Sequence, residues 1–254
     1  MKLLILASGK GKRLKHLTRN KPKTFVKIGD IRIIDFLKFN FLKFKEVLIT
    51  VGYKHNLISK DFRKQTIIRN SEFNETNMVH SLFLANRYIN SDIIVSYSDI
   101  IYCPKIIDKM ITTNKTHIPI NRSWFKTWQM RMTIKKIYED AETLKIKKKK
   151  VISIGQKIVS KLPKFQFMGL IRINLKDYKK MYKFYKSLKN RKIDMTNFLN
   201  LVIEKNVINL YFFKTSKFWF EIDNVRDAKV ANSKKIQKII KGLFKVYQNA
   251  KRPI

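Results

Sequence analysis

The sequence predicts an α/β fold in which a mixed, mostly parallel β-sheet is flanked by helices. Short apolar runs alternate with amphipathic segments, a pattern typical of βαβ units around a parallel sheet. The chain has 254 residues, of which 44% are hydrophobic, and this suffices for one substantial core. No linker, internal repeat or low-complexity segment divides the chain. We therefore expect a single domain over residues 1–254.

The first half of the chain contains the clearest strands and helices. Apolar runs predict a buried strand over residues 3–7 and another over residues 93–97, just before Asp99. The other elements predicted in this half are strands at 47–53 and 66–69 and helices at 33–44, 79–88 and 105–112. These elements would form the start of a parallel sheet with its crossover helices.

The pattern changes in the second half. From about residue 130 to residue 174 it predicts strands, with a hairpin turn at the lysine-rich segment 145–150. The elements predicted after it are helices at 175–188 and 195–204, strands at 207–213 and 218–222, and a Lys-rich amphipathic helix from residue 225 onward. We expect this half to share one core with the first.

Cysteine content and hydropathy exclude several classes of protein. Cys103 is the only cysteine, so neither an internal disulfide nor a paired-cysteine metal site is possible. The apolar N-terminal run leads directly into a basic glycine loop and not into a signal-peptide cleavage region. No apolar stretch approaches the roughly 20 residues that span a bilayer. We expect a cytoplasmic protein without membrane insertion.

The formal net charge of +38 favours anionic partners on electrostatic grounds: nucleic acid, anionic lipid or phosphorylated ligands. Lysines far outnumber arginines, however, and they are spread along the whole chain. A dedicated nucleic-acid surface more often clusters arginines and aromatic residues in a recognisable module. We therefore interpret the charge as solvated lysine-rich surface and do not expect nucleic acid as the partner.

A glycine-containing loop follows the first predicted strand. Residues 7–14 have the sequence Ala-Ser-Gly-Lys-Gly-Lys-Arg-Leu. Such a loop presents backbone N–H groups to phosphate oxygens, and neighbouring cations add charge. The loop has neither the Gly-Lys-Ser/Thr of a P-loop nor the third glycine of a dinucleotide fingerprint. On its own, a tight strand-to-helix connection explains the two glycines equally well, but Pro22 and Lys23 add a fixed turn with another cation.

Together, the G-x-G-x-R-L loop and the Pro22-Lys23 pair resemble the signature of the sugar-phosphate and phosphocholine nucleotidyltransferases. The resemblance implies a Rossmann-like nucleotidyltransferase fold, with Arg13 and Lys23 as catalytic cations on the triphosphate. The nucleotide-binding residues that it implies are Leu6, Ala7, Ser8, Gly9, Gly11, Arg13, Lys23, Thr76, Asn77 and Ser81.

Later segments follow in the order of the phosphocholine cytidylyltransferase-like branch. They lie at residues 76–82, 97–100, 140–142, 154–157, 167–170, 194–196 and 219–223. Ser98 stands where glycine is usual, but Asp99 is retained. The resemblance implies Mg²⁺ ligation by Asp99 and Asp223. The acceptor-binding residues that it implies are Glu142, Lys157, Gly169 and Glu221.

Nucleotidyl transfer explains why these residue types are needed. An anionic oxygen attacks the α-phosphorus in line, so cations must offset charge repulsion and the charge that develops on pyrophosphate. Asp99 and Asp223 each follow a predicted strand, so they can meet at the carboxyl edge of the sheet. A single aspartate after a strand is, however, more often a helix cap or a turn residue. The acceptor is already an anion, so no nucleophilic triad is required.

Several roles stay open at this stage. Glu142 and Glu221 either recognise the acceptor or make structural hydrogen bonds. Trp128 and Trp219 either contact an ammonium group by cation–π attraction or belong to the core. The four histidines have no metal-ligand spacing.

The resemblance implies transfer of CMP from CTP to a small phosphorylated or phosphonate acceptor, with release of pyrophosphate. Phosphocholine and 2-aminoethylphosphonate are the expected acceptors, in surface glycan or lipid biosynthesis. We expect residues up to about 115 to bind the nucleotide and residues from about 116 to 254 to bind the acceptor. One alternative is a hexose-1-phosphate nucleotidyltransferase using UTP or dTTP. An alternative of another class is a basic nucleic-acid-binding protein on a degenerate enzyme fold. The oligomeric state stays undetermined.

Overall fold

The computed structural model describes the backbone of residues 1–249 and the side chains of residues 1–245. The strands are β1 (Lys2–Ala7), β2 (Lys27–Ile28), β3 (Ile31–Arg32), β4 (Glu46–Val51), β5 (Thr66–Arg69), β6 (Ile93–Tyr97), β7 (Ile100–Tyr102), β8 (His117–Asn121), β9 (Glu142–Lys147), β10 (Lys150–Lys157), β11 (Gln166–Phe167), β12 (Leu170–Ile173), β13 (Tyr211–Thr215) and β14 (Trp219–Glu221). The α-helices are α1 (Ile33–Lys38), α2 (His55–Asp61), α3 (Met78–Leu84), α4 (Lys105–Ile111), α5 (Trp124–Arg131), α6 (Ile134–Asp140), α7 (Leu175–Ser187), α8 (Met195–Glu204), α9 (Val225–Ala231) and α10 (Lys234–Asn249).

Ten strands form one mixed sheet in the order β5-β4-β1-β6-β12-β8-β13-β10-β9, with β11 paired to β8. The run from β5 to β6 is parallel, as is the β8–β13 pair. β12 is antiparallel to both of its neighbours. Helices cover the sheet, so the predicted α/β class with a mixed sheet is confirmed.

The sheet is buried on both faces because its central strands alternate apolar side chains between them. In β1, Leu4 and Leu6 pack with residues of α3, α7 and α8, whereas Leu3 and Ile5 pack with residues of α1, α2 and α4. Complete burial on both faces explains why this strand is a continuous apolar run.

The C-terminal helices pack against the N-terminal part of the chain. Phe244 of α10 contacts Phe36 of α1, with ring centroids 4.8 Å apart, and α9 contributes Ala228 to the same apolar cluster. This packing holds the segment that follows β14 beside the loop that follows β1.

Most predicted elements agree with the structure. The strands predicted at 3–7, 47–53, 66–69 and 93–97 correspond to β1, β4, β5 and β6, and the helix predicted at 195–204 is α8. The helix at 175–188 is α7, and the lysine-rich turn joins β9 to β10, with Lys148 at φ 52°. The strand predicted at 218–222 is β14.

Other predictions were wrong in detail. The segment from residue 130 begins with helical structure: α6 has Ile134 and Ile137 at helical spacing, and the Thr133 hydroxyl caps it. β8 was not predicted because Pro119 interrupts its apolar run. The helix expected over 33–44 ends at Lys38, and a separate 3-10 turn follows it.

The C-terminal boundaries also shift. The strand expected at 207–213 begins only at Tyr211. The segment from residue 225 onward forms two helices, α9 and α10, of which residues up to 249 are described. Within the described residues, no helix combines the length and apolar character that crossing a bilayer requires.

Candidate active site

Two neighbouring cavities open at the carboxyl edge of the parallel strands. The larger, which we call the nucleotide cavity, has a volume of about 600 Å³. The smaller, which we call the acceptor cavity, has a volume of about 380 Å³. The residues that line both cavities are Arg13, Met78, Tyr97, Glu221 and Asp223. The two cavities therefore meet at a junction that contains a cation and two carboxylates.

The loop after β1 forms one wall of the nucleotide cavity. Gly11 has φ 65°, a conformation that L residues adopt at a cost. A Cβ atom at Gly11 would lie 2.9 Å from Cβ of Lys23. Glycine thus allows the loop to approach Lys23 closely.

A short two-stranded ribbon brings the two predicted metal ligands together. β7 begins directly after Asp99, and β14 ends two residues before Asp223. The strands are antiparallel, with Ile100 opposite Glu221, and the backbone N–H of Ile222 donates to the carbonyl of Asp99. This pairing explains how aspartates that are distant in sequence reach one site.

Lys23 lies between these aspartates. Its Nζ atom is 2.6 Å from Oδ2 of Asp99 and 2.8 Å from Oδ1 of Asp223. The lysine side chain is 14% exposed and both carboxylates are 24% exposed. Arg13 Nη2 adds a third cationic group, 3.3 Å from Oδ1 of Asp223. The two carboxylates thus converge on a single cation position.

Arg131, in α5, contacts the carboxylates of the site from their buried side. Its side chain is 1% exposed and makes two hydrogen bonds to Asp227, which is fully buried. Nη1 lies 2.7 Å from Glu221 and Nη2 lies 3.4 Å from Asp223. Asp227 also accepts hydrogen bonds from the backbone N–H groups of Asp223 and Asn224. The guanidinium therefore connects three carboxylates behind the junction.

Burial and neighbouring charges set the ionisation of this group. Burial raises the pKa of Glu221 to about 7, against the opposing effect of Arg131. Burial alone would also raise the pKa of Asp223, but Lys23 lowers it to about 2. Burial alone would lower the pKa of Lys23, but Asp99 and Asp223 hold it above its ordinary value. Lys23 and Asp223 are therefore both charged at neutral pH.

A hydrogen-bonded chain fixes the opposite wall of the nucleotide cavity. Nδ2 of Asn70 donates to the hydroxyls of Thr76 and Ser81, each at 3.1 Å. Ser81 in turn donates to the hydroxyl of Ser8 in the glycine loop. Asn77 caps α3. This chain ties the loop after β5 to the loop after β1.

The structure brings the predicted nucleotide-binding residues to one place. All of them line the nucleotide cavity: Leu6, Ala7, Ser8, Gly9, Gly11, Arg13, Lys23, Thr76, Asn77 and Ser81. Asp99 and Asp223 line it as well.

Of the predicted acceptor residues, Glu142, Gly169 and Glu221 line the acceptor cavity. Lys157, at the end of β10, has an exposed side chain and lines neither cavity. Gly169 has φ 71°, and a Cβ atom there would lie 2.7 Å from the ring of Tyr97. Glycine is therefore favoured at position 169, because a side chain there would clash with the ring of Tyr97.

The two tryptophans differ in position. Trp128 lines the acceptor cavity and is 8% exposed. Trp219 is a core residue that lines neither cavity.

Sequence reasoning missed several cavity residues. They are Asn70, Phe73, Arg131, Asp140, Gln166 and Asp194. Asn70 follows a predicted strand, and Asp140 and Asp194 lie in segments that resemble the cytidylyltransferase-like branch, so these three residues had a local signal. Arg131 had none, since its role depends on partners about 90 residues away in sequence. Within the described residues, no group of three or more His, Cys, Asp or Glu side chains is arranged to hold a metal ion.

Residues 2–238 match a family model described as Nucleotidyl transferase, and the chain belongs to that family. It is accordingly an enzyme of the nucleotidyltransferase class. The match extends over both cavities and all the strands of the sheet.

Individual relatives share most of this length. A CTP:phosphoglutamine cytidylyltransferase of Campylobacter jejuni is 31% identical over 253 residues, covering 91% of this chain and 98% of the relative. A choline-phosphate cytidylyltransferase of Streptococcus pneumoniae is 25% identical over 158 residues, covering 58% of this chain and 67% of the relative.

Solved structures agree on the fold. An inositol-1-phosphate CTP transferase from T. maritima superposes with a TM-score of 0.75 at 19% identity, covering 94% of this chain and 96% of that one. A CTP:phosphocholine cytidylyltransferase from Streptococcus pneumoniae gives a TM-score of 0.67 at 20% identity, covering 94% of this chain and 98% of that one.

Proposed function

We propose that this enzyme transfers CMP from CTP to a small phosphorylated or phosphonate acceptor and releases pyrophosphate. The observation that carries the proposal is the cluster of charges beside the junction of the two cavities, where Lys23 pairs with Asp99 and Asp223 and Arg13 also contacts Asp223. Support for CTP comes from the relatives, two of which are named as cytidylyltransferases. Phosphocholine, 2-aminoethylphosphonate and a phosphorylated amino acid are the acceptors we consider.

The triphosphate would lie along the glycine loop. Backbone N–H groups of the loop and the cations of Arg13 and Lys23 are suited to phosphate oxygens. Lys23 donates to two carboxylates, and its ammonium has a third N–H that would be directed to a phosphate oxygen when nucleotide binds. In that position Lys23 would offset charge on the α-phosphate as the acceptor oxygen attacks.

Asp99 and Asp223 are the residues that would hold Mg²⁺. Both present an oxygen to one cation position, and Mg²⁺ in nucleotide enzymes is commonly held by one or two carboxylates with phosphate oxygens and water. When bound, the ion would supply positive charge that lowers the repulsion between the α-phosphate of CTP and the anionic group of the acceptor. Arg131 would keep Asp223 oriented by contacting it from the buried side.

The acceptor would enter from the second cavity. Its phosphate would reach the junction near Arg13, which lines both cavities, and its other end would point toward Glu142. Nearly all residues lining the nucleotide cavity precede residue 115, and most of those lining the acceptor cavity follow residue 116. This supports the proposed division of the chain at about that position.

We propose the cytoplasm, where CTP is available, as the location of the enzyme.

A hexose-1-phosphate nucleotidyltransferase using UTP or dTTP is the second candidate. One relative, from Haloferax volcanii, is a UTP–glucose-1-phosphate uridylyltransferase, 28% identical over 108 residues. It covers only 40% of this chain, so it supports the candidate less than the relative that covers 91%.

The test compares substitutions of the two aspartates. Asp99→Asn and Asp223→Asn should each reduce Mg²⁺-dependent formation of a CDP-linked product by about 100-fold or more, as expected when charge stabilisation of the transition state is lost. Asp30→Asn is the control, because Asp30 is exposed in the β2–β3 turn. Product is measured by mass spectrometry on folded protein. Wild-type turnover in both variants would exclude the proposed metal site.

A further inference from the structure

The side chain of Ser8 places a hydroxyl in the nucleotide cavity. Ser8 follows β1 directly, lines the cavity and is 7% exposed. Its Oγ atom accepts a hydrogen bond from the hydroxyl of Ser81 at 3.1 Å. The hydroxyl of Thr76, which lines the same cavity, donates to the backbone carbonyl of Glu72 at 2.7 Å. For the hydrogen of Ser8, the described residues provide no such acceptor.

The orientation of the Ser8 hydroxyl follows from its neighbours. The backbone N–H of Glu72 donates to Oδ1 of Asn70 at 3.0 Å, which fixes the amide, and Nδ2 therefore donates to Thr76 and Ser81. Ser81 is 2% exposed, and Ser8 Oγ is the acceptor available to its hydrogen. A buried hydroxyl without an acceptor is costly, so this direction of the chain is favoured. The Ser8 hydrogen is consequently directed into the cavity.

The position of Ser8 in the glycine loop separates it from the phosphate-binding end. At that end Gly11 packs against Lys23, the cation proposed for the triphosphate. Ser8 lies at the other end, where the loop leaves β1, and its side chain contacts Ser81 of α3. With the phosphates held near Lys23, the nucleoside of the substrate would lie beside Ser8.

An aromatic ring lies next to Ser8 at this end of the cavity. A Cβ atom at Gly52 would lie 2.5 Å from the backbone oxygen of Ser8 and 2.7 Å from Cβ of Phe73, so glycine allows both residues to pack closely there. Phe73 also lines the nucleotide cavity. Proteins bind nucleobases by stacking on the face of the base and by hydrogen bonds to its edge. Phe73 and Ser8 provide one group of each kind.

We propose that the Ser8 hydroxyl donates a hydrogen bond to the ring nitrogen N3 of the nucleobase, and that Ser8 thereby selects cytosine over uracil. The inference rests on the proposed function, in which CTP is the nucleotide. A fixed donor favours cytosine at N3, because cytosine has an acceptor nitrogen there and uracil has an N–H group. With UTP, two donors would face each other and neither would be satisfied.

The test measures binding of CTP, UTP and 3-deaza-CTP by isothermal titration calorimetry in the presence of Mg²⁺. The 3-deaza analogue keeps the carbonyl and amino groups of cytosine but has C–H in place of N3. Wild-type protein should bind CTP about 10-fold more tightly than either UTP or 3-deaza-CTP. Ser8→Ala should bind CTP and 3-deaza-CTP with affinities within about 3-fold of each other. Its affinity for 3-deaza-CTP should be at least that of wild-type protein, which shows that the variant is folded.

Ser81 is a positioning residue in this account, so its substitution has a different expected effect. In Ser81→Ala the Ser8 hydroxyl is free to turn and accept the N–H of uracil. UTP should therefore bind about 3-fold or more tightly than it does to wild-type protein, whereas the affinity for CTP should stay within about 3-fold. Ser187→Ala is the matched control, because Ser187 is exposed on α7 and donates to the carbonyl of Phe184. It should retain wild-type selectivity.

The contrary results are distinct from one another. Equal wild-type affinities for CTP and 3-deaza-CTP would overturn the inference, as would a Ser8→Ala variant that keeps the full difference. Equal weakening of CTP and UTP binding in Ser81→Ala would overturn the orientation of Ser8 by Ser81. Failure of the proposed function has another signature, in which wild-type protein with a folded circular dichroism spectrum binds none of the three nucleotides.

Discussion

Lys23 determines the charge balance of the cleft, because its ammonium is the direct partner of Asp99 and Asp223. Lys23→Met should abolish turnover. It should also lower the free energy of unfolding by about 3 kcal/mol, the lower end of the range for broken buried pairs, because Arg13 and Arg131 still contact Asp223. The measurement is urea unfolding, with Lys27→Met, an exposed lysine, as control.

The same variant tests whether the carboxylates bind a divalent cation. Without the lysine, Mg²⁺ no longer competes with an ammonium for the two aspartates. Added Mg²⁺ in the absence of nucleotide should therefore raise the melting temperature of Lys23→Met more than that of wild-type protein. An equal effect of Mg²⁺ on both proteins would contradict this assignment.

Arg131 and Asp227 form a buried ion pair behind the junction of the two cavities. Arg131→Met should destabilise the protein by about 3–5 kcal/mol, because it leaves the carboxylate of Asp227 buried without its partner. The double variant Arg131→Met/Asp227→Asn should be less destabilised than Arg131→Met alone, since the uncompensated charge is gone. A double-mutant cycle by urea unfolding measures the coupling, and simple additivity of the two effects would refute it.

At the scale of elements, α3 and α7 are joined by a buried contact of His80. Its Nδ1 lies 2.8 Å from the Tyr185 hydroxyl, and Arg191 lies beside the ring. Burial, and then the charge of Arg191, lower the pKa of His80 from its ordinary value of 6.5. The folded state thus binds this proton less readily than the unfolded state does.

This shift has a defined effect on stability. The contribution of neutral His80 is fully present above pH 6.5 and is lost as the pH falls from there through the folded pKa. Urea unfolding from pH 8 to pH 5 should therefore show a smaller loss of stability in His80→Gln than in wild-type protein. His16→Gln, at an exposed histidine, should behave like wild-type protein. Parallel curves for His80→Gln and wild-type protein would exclude this contribution.

The elements also show what the sequence could predict. β1, β6 and α8 carry their signals locally, in apolar runs and spacing, and the glycine loop and Lys23 follow β1 directly. β8 and the role of Arg131 could not be predicted in the same way, because both depend on partners far along the chain and a single sequence does not show which distant residues are in contact. Lys157 differs from these residues: its motif is local in the sequence, but in the structure its side chain is exposed and lines neither cavity.

At the scale of the whole molecule, the distribution of the 18 acidic residues is more informative than the net charge of +38. Six of them line the two cavities: Asp99, Asp140, Glu142, Asp194, Glu221 and Asp223. Clustered carboxylates oppose the binding of a phosphate backbone by a basic surface, since nucleic-acid affinity comes largely from cations that neutralise phosphates. Family membership and this cleft together favour the enzyme over the nucleic-acid-binding alternative.

The central claim is tested most directly by a matrix of donors and acceptors with wild-type protein and Mg²⁺. Pyrophosphate release is measured for CTP, UTP, dTTP, ATP and GTP, each combined with phosphocholine, phosphoethanolamine, 2-aminoethylphosphonate, a phosphorylated amino acid and hexose 1-phosphates. We expect release with CTP and an amine-bearing phosphate or phosphonate. Release only with UTP or dTTP and a hexose 1-phosphate would contradict the proposed donor and acceptor.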